Sequence, residues 1–178
     1  MARIAYPDAQ TLSPETRDRL ANTGSLNVAR MMAHRESLMT AWSRMGVEIL
    51  RRGALDPILR EAVILRVGQL CQSDYEWRQH ESVARAIGMD DAMLAAIAAQ
   101  DFAALPDPIR MAITLAEEID RDGAVSAQSL AAAQSLFDPA QLVELVMVIG
   151  YYRMTAGFLR SFDIETEETL LGASMVRR

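Results

Sequence analysis

Apolar positions along this chain recur at the three-and-four spacing of amphipathic helices, and no run alternates over the length of a strand. The spacing predicts helices at roughly 14–22, 26–33, 36–52, 57–71, 74–87, 91–99, 108–121, 127–135 and 139–160. Within 57–71, Ile58, Ala62, Leu65 and Gln69 line one side, and Val63, Val67 and Leu70 widen the apolar surface, as a buried helix requires. The last helix carries Leu142, Leu145, Val146, Ile149 and Met154 and is apolar on most sides, which places it centrally or at a subunit contact.

The helix starts are marked. Ser13-Pro14, Asp56-Pro57, Asp107-Pro108 and Asp138-Pro139 each pair a capping oxygen with a proline that sacrifices no hydrogen bond in the first turn. Asp90 and Ser126 read as further caps, and Ser73 with Glu76 fits a capping box. Gly53, Gly88 and Gly123 stand where left-handed helix ends are expected. These signals predict one all-α domain over residues 1–178 with its core at about 28–160, a polar N-terminal arm before residue 25 and a polar tail after Asp163.

Composition narrows the function classes. The net charge of −6 argues against a nucleic-acid surface. All 18 basic residues are Arg, which excludes a Schiff-base lysine and a P-loop lysine. The only cysteine, Cys71, rules out an intramolecular disulfide. No apolar signal core opens the chain, and the longest apolar stretch, 142–152, is interrupted by Glu144 and too short for a bilayer. A cytoplasmic protein without membrane partners is expected.

The groups capable of chemistry cluster between Arg60 and Gly88. Glu76 and His80 are four apart on one helix face, and Glu61 belongs to the preceding helix. An antiparallel pair brings both carboxylates toward one imidazole, an arrangement suited to proton transfer. Blander readings remain open: Glu76 as the second half of a capping box, Glu76–His80 as a local ion pair, Glu61 as a partner of the helix dipole. Two carboxylates and one His can hold a divalent ion, but the other imidazole, His34, has no ligand-spaced partner, so no metal is expected.

The spacing carries a resemblance. Arg60-Glu61 opens a helix, and twelve residues after Glu61 comes Ser73-x-x-Glu76-x-x-x-His80, followed by a helix ending at Gly88. This frame resembles the carboxymuconolactone decarboxylase and alkylhydroperoxidase-like family, in which Cys-x-x-Cys-x-x-x-His stands at those positions. The likeness is strongest over these residues and extends through Leu55-Asp56-Pro57 and Gly150-Tyr151-Tyr152-Arg153. It implies an alkylhydroperoxidase-like helical bundle with an N-terminal helical arm, and a homo-oligomer, a trimer or hexamer. It places Glu61 and His80 at the family's proton-relay positions and puts Ser73 and Glu76 where the two thiols belong. Neither replacement forms a disulfide. Cys71 stands two positions ahead of the frame and reads as buried and structural.

The resemblance therefore implies a cofactor-free acid–base enzyme, a decarboxylase or lyase for a small carboxylated lactone or aromatic-catabolism intermediate. His80 is the expected acid or base, Glu61 orients it, and Glu76 is a second proton carrier. Ser73, Tyr75 and Trp77 are expected to line the substrate pocket, with Arg78 pairing with a substrate carboxylate. Two alternatives stand beside this: a peroxidase-related redox protein using Cys71 with a thiol from a partner, and a non-catalytic helical ligand-binding protein.

Overall fold

The computed structural model describes residues 2–22, 24–170 and 172, and among them there is no strand. The helices are α1 (Pro14–Asn22), α2 (Asn27–Met32), α3 (Glu36–Val47), α4 (Pro57–Leu70), α5 (Asp74–Ala86), α6 (Asp91–Ala99), α7 (Asp107–Asp122), α8 (Ala127–Ala133) and α9 (Pro139–Phe162). Asp56 Oδ1 accepts from the backbone N–H groups of Ile58 and Leu59 at 2.9 and 3.0 Å. Asp138 and Gln141 close a reciprocal capping box. Such caps contribute about 1 kcal/mol each. Asp107 departs from expectation: it lies inside α7 and its carboxylate is taken by Arg110 at 2.6 Å, so it caps nothing.

α4 is the central helix. Every residue from Leu59 to Gly68 is buried, and α5, α7 and α9 pack around it. Two polar groups, Arg66 buried and Gln69 half-buried, fasten its far end: Arg66 donates to Glu117 of α7 at 2.7 Å, and Gln69 Nε2 donates to Ile97 O of α6 at 2.9 Å. A tight turn through Cys71 and Gln72, the latter at φ +52°, reverses the chain into α5. This turn makes α4 and α5 antiparallel neighbours, and the candidate site depends on it.

α9 runs to Phe162, beyond the expected end, and its 24 residues are long and apolar enough to cross a membrane by length and composition. Its inward face is core: Leu145, Val148 and Ile149 are fully buried. Its outward face is apolar too, with Val143, Met147 and Met154 at 67, 47 and 54% exposure.

α3 continues into a π turn, Glu48–Arg52, and the chain then leaves at Gly53. Gly88 and Gly123 have positive φ, but Gly53 does not; its φ is −63°. Gly53 is needed for room instead. Glu144 of α9 accepts from the Ala54 and Leu55 N–H groups, and a β-carbon at residue 53 would collide with that carboxylate.

The two arms fold onto each other. Leu20, Leu26, Val28, Met31 and Met39 form a second apolar cluster with Tyr75, Leu159 and Ile164. Arg3 N–H donates to Phe162 O at 2.8 Å, and Asn27 Nδ2 donates to Glu165 O at 3.0 Å. The N-terminal arm and the stretch after α9 thus close one side of the bundle.

Candidate active site

The α4–α5 turn sets Glu61 and His80 side by side. His80 Nδ1 lies 2.7 Å from Glu61 Oε2, with Glu61 fully buried and His80 4% exposed. Arg60 Nε donates to Glu61 Oε1 at 3.2 Å, and its guanidinium also reaches Ile49 O in the π turn at 3.5 Å. One carboxylate therefore serves two donors, which fixes Nδ1–H as the proton-bearing nitrogen of the neutral ring and leaves Nε2 for exchange with a ligand. Tyr152 stacks edge-on against the imidazole, ring centroids 4.8 Å apart. Burial and the Glu61 charge hold the Tyr152 phenol far above its ordinary value, so it stays protonated.

A cavity of about 280 Å³ opens among α2, α3, α5 and α9. Tyr75, Glu76, Gln79 and His80 face it from α5, and Tyr151, Tyr152 and Thr155 from α9. Trp42, Ser43 and Gly46 of α3, Leu26 and Val28 of the arm, and Arg51 of the π turn are among its other walls. The aromatic wall is braced: Trp42 stacks on Tyr151 at 5.9 Å, Trp42 Nε1 donates to Thr155 Oγ1 at 3.0 Å, and Tyr151 Oη donates to Trp42 O at 3.1 Å. Gly46 makes room for that phenol, since a β-carbon there would sit 2.8 Å from Tyr151 Oη.

Glu76 is the unusual group. Its backbone N–H donates to Ser73 Oγ at 3.4 Å, the first half of the expected capping box. The second half is missing, because Ser73 N–H donates instead to Gly68 O at 2.8 Å. The released carboxyl points into the cavity, 2% exposed, and no described protein group hydrogen-bonds either oxygen. Burial raises its proton affinity well above the usual carboxyl range, which favours the neutral acid.

Of the six residues singled out in the sequence, Glu61, Glu76, His80 and Tyr75 converge here. Ser73 and Trp77 do not. Ser73 is spent on the helix start, and Trp77 is half-buried against the main core. On α5 the positions 75, 76, 79 and 80 share one face, and 77 lies about 100° round from 76. Arg78 is exposed and outside the cavity. Cys71 is half-buried rather than buried, and burial pushes its thiol up, away from the reactive thiolate. His34 is an exposed residue whose ring Nε2 meets Ala5 O at 2.9 Å. Among the described residues no three of His, Cys, Asp or Glu are grouped to hold a metal ion. Sequence reasoning passed over Trp42, Gly46, Tyr151 and Tyr152 as site residues. The adjacent tyrosines of α9, in a chain with four in all, were the available signal.

Residues 36–118 match the family model of the carboxymuconolactone decarboxylase family. No curated protein sequence matches the chain. Its fold is similar to that of a Ralstonia eutropha JMP134 protein described as an alkylhydroperoxidase AhpD core and as an uncharacterized peroxidase-related protein. The TM-score is 0.83 at 15% identity over 94% of this chain and 93% of that one. An uncharacterized peroxidase-related protein from Silicibacter sp. TM1040 has a TM-score of 0.83 at 16% identity, covering 94% and 92%. The debrominase Bmp8, solved as a cysteine-to-alanine variant with 2,3,4-tribromopyrrole, has a TM-score of 0.75 at 13% identity, covering 94% and 95%. The shared feature is the all-helical architecture.

Proposed function

Since residues 36–118 belong to the carboxymuconolactone decarboxylase family and the chain has the alkylhydroperoxidase-like fold, we propose that it is a cofactor-free acid–base enzyme of the cytoplasm, a decarboxylase or related lyase for a small carboxylated ring compound such as a lactone. One observation carries this reading: a neutral carboxylic acid, Glu76, and an imidazole anchored by Glu61 face the same largely apolar cavity. An apolar wall suits a reaction that disperses the charge of a substrate carboxylate. The bond from the ring carbon to the carboxylate breaks, carbon dioxide leaves, and the electron pair stays on the substrate. Glu76 delivers its proton to that carbon, and Nε2 of His80, one helical turn away, takes a proton from solvent and passes it to Glu76. Glu61 and Arg60 hold the ring in place throughout.

The peroxidase-related and debrominase neighbours raise a redox reading, but here the two positions of the frame hold Ser73 and Glu76, and the single thiol is kept protonated. The proposal extends to a homo-oligomer, a trimer or hexamer, with the exposed face of α9 at Val143, Met147 and Met154 covered by another copy. The test is carbon dioxide release from carboxylated muconolactones and β-keto acids by the wild type and His80→Ala. A loss of about 10²–10⁴-fold is expected, the range for one positioned acid–base group. Equal turnover by both proteins removes His80 from the mechanism.

A further inference from the structure

Glu167, in the stretch after α9, turns its carboxylate back onto the cavity wall. Tyr75 Oη donates to its Oε1 at 2.7 Å, the Asn27 backbone N–H donates to the same oxygen, and Gln79 Nε2 donates to Oε2. Tyr75 and Gln79 are 8% and 3% exposed, and both line the cavity. Leu26 and Val28, on either side of Asn27, line it as well. Tyr75 and Gln79 stand one turn apart on α5, and Asn27 lies 48 positions before Tyr75, yet all three donors meet on one carboxylate. Buried donors aimed at one point are costly to leave unfilled.

We infer that Tyr75, Gln79 and the Asn27 amide form a carboxylate-binding subsite at the edge of the cavity, and that Glu167 fills it in the resting protein as a built-in stand-in for the carboxylate of a ligand. The three donors are all neutral, so they take a carboxylate by geometry rather than by a counter-charge. Tyr75, its phenol held protonated by burial and by the Glu167 charge, serves only as a donor toward this carboxylate. A ligand bound there extends its apolar body toward Trp42 and Tyr151 and the acid of Glu76. This names the anionic end of the substrate class proposed above and rests on that reading for its catalytic use; the binding step does not depend on it.

The tethered carboxylate competes with a free one. The apparent dissociation constant is the intrinsic one divided by the fraction of molecules with Glu167 out of the cradle. Occupancy of about nine-tenths or more therefore weakens carboxylate binding about tenfold or more, and Glu167→Ala restores it. The experiment measures binding of benzoate and of neutral benzyl alcohol by calorimetry to the wild type, Glu167→Ala and Glu167→Gln. Benzoate is expected to tighten about tenfold or more in Glu167→Ala, with benzyl alcohol unchanged. Adding Tyr75→Phe to Glu167→Ala is expected to take back most of the gain. Glu167→Gln keeps the tail's packing, and tighter benzoate binding in it alone supports the subsite should the alanine variant fail to fold. Benzoate binding that does not change, or benzyl alcohol that tightens equally, overturns the inference and leaves the tail as a cover only. No turnover is read, so a protein without decarboxylase activity still decides this question.

Discussion

Glu76→Gln removes one titrating group from a 2%-exposed position and keeps its shape. In the wild type, burial holds the folded carboxyl well above its ordinary value near 4.5. Below that pH, folded and unfolded chains both carry the proton, and nothing is lost. Above it the unfolded chain ionises while the folded chain does not, so the unfolded state binds fewer protons and stability falls as pH rises. The slope is about 1.4 kcal/mol per pH unit, and it continues until the buried carboxyl itself ionises. The variant has no such slope at this position. Urea unfolding of both proteins at about pH 5, 6 and 7 gives the difference in unfolding free energy at each. The variant is expected to gain on the wild type as pH rises, by about 1.4 kcal/mol per unit while the buried carboxyl keeps its proton. A difference that stays constant with pH means that Glu76 ionises like an exposed carboxyl, and its part as a proton donor to substrate is then refuted.

Glu61→Ala strands the Arg60 guanidinium and the His80 ring in the core, and a loss of about 3–5 kcal/mol in unfolding free energy by urea is expected, as for a broken buried ion pair. Gly46→Ala places a methyl 2.8 Å from Tyr151 Oη and displaces its bond to Trp42 O, so destabilisation of about 1–3 kcal/mol in the same measurement is expected. Met147→Glu puts a charge on the exposed face of α9. Sedimentation is expected to show an assembly in the wild type and the 19.7 kDa monomer in the variant, and the same mass for both counts against α9 as the covered face. Cys71→Ser is expected to leave carbon dioxide release unchanged, and a loss of activity reopens the thiol chemistry.

Helices, and the residues that begin them, were readable because their signals are local. Asp56, Asp90, Ser126 and Asp138 each reach backbone N–H groups two or three residues ahead, a distance that spacing alone fixes. The frame from Glu61 to His80 was readable for a related reason, since a short turn forces α4 and α5 to be neighbours. What spacing could not supply was the angle at which separate helices cross. That angle puts Tyr151, Tyr152 and Trp42 around the imidazole and sends Trp77 to the core. Gly53 shows the same limit: its cause is Glu144, 91 positions away along the chain. The Glu167 contact with Tyr75 spans 92 positions and involves a tail with no periodic pattern, so no sequence signal announced it. The Ser73–Glu76 pair was legible as a cap and misleading as a box, because Ser73 N–H finds Gly68 O first and the freed carboxyl becomes the cavity's acid.

Decarboxylation followed in deuterium oxide, comparing the wild type with Glu76→Gln on a carboxylated lactone, asks whether that acid supplies the proton. The wild type is expected to release carbon dioxide and to leave one solvent deuteron on the carbon that lost the carboxylate, with the variant slower by about 10²-fold or more. Equal rates and equal labelling from two folded proteins contradict a proton delivered from Glu76.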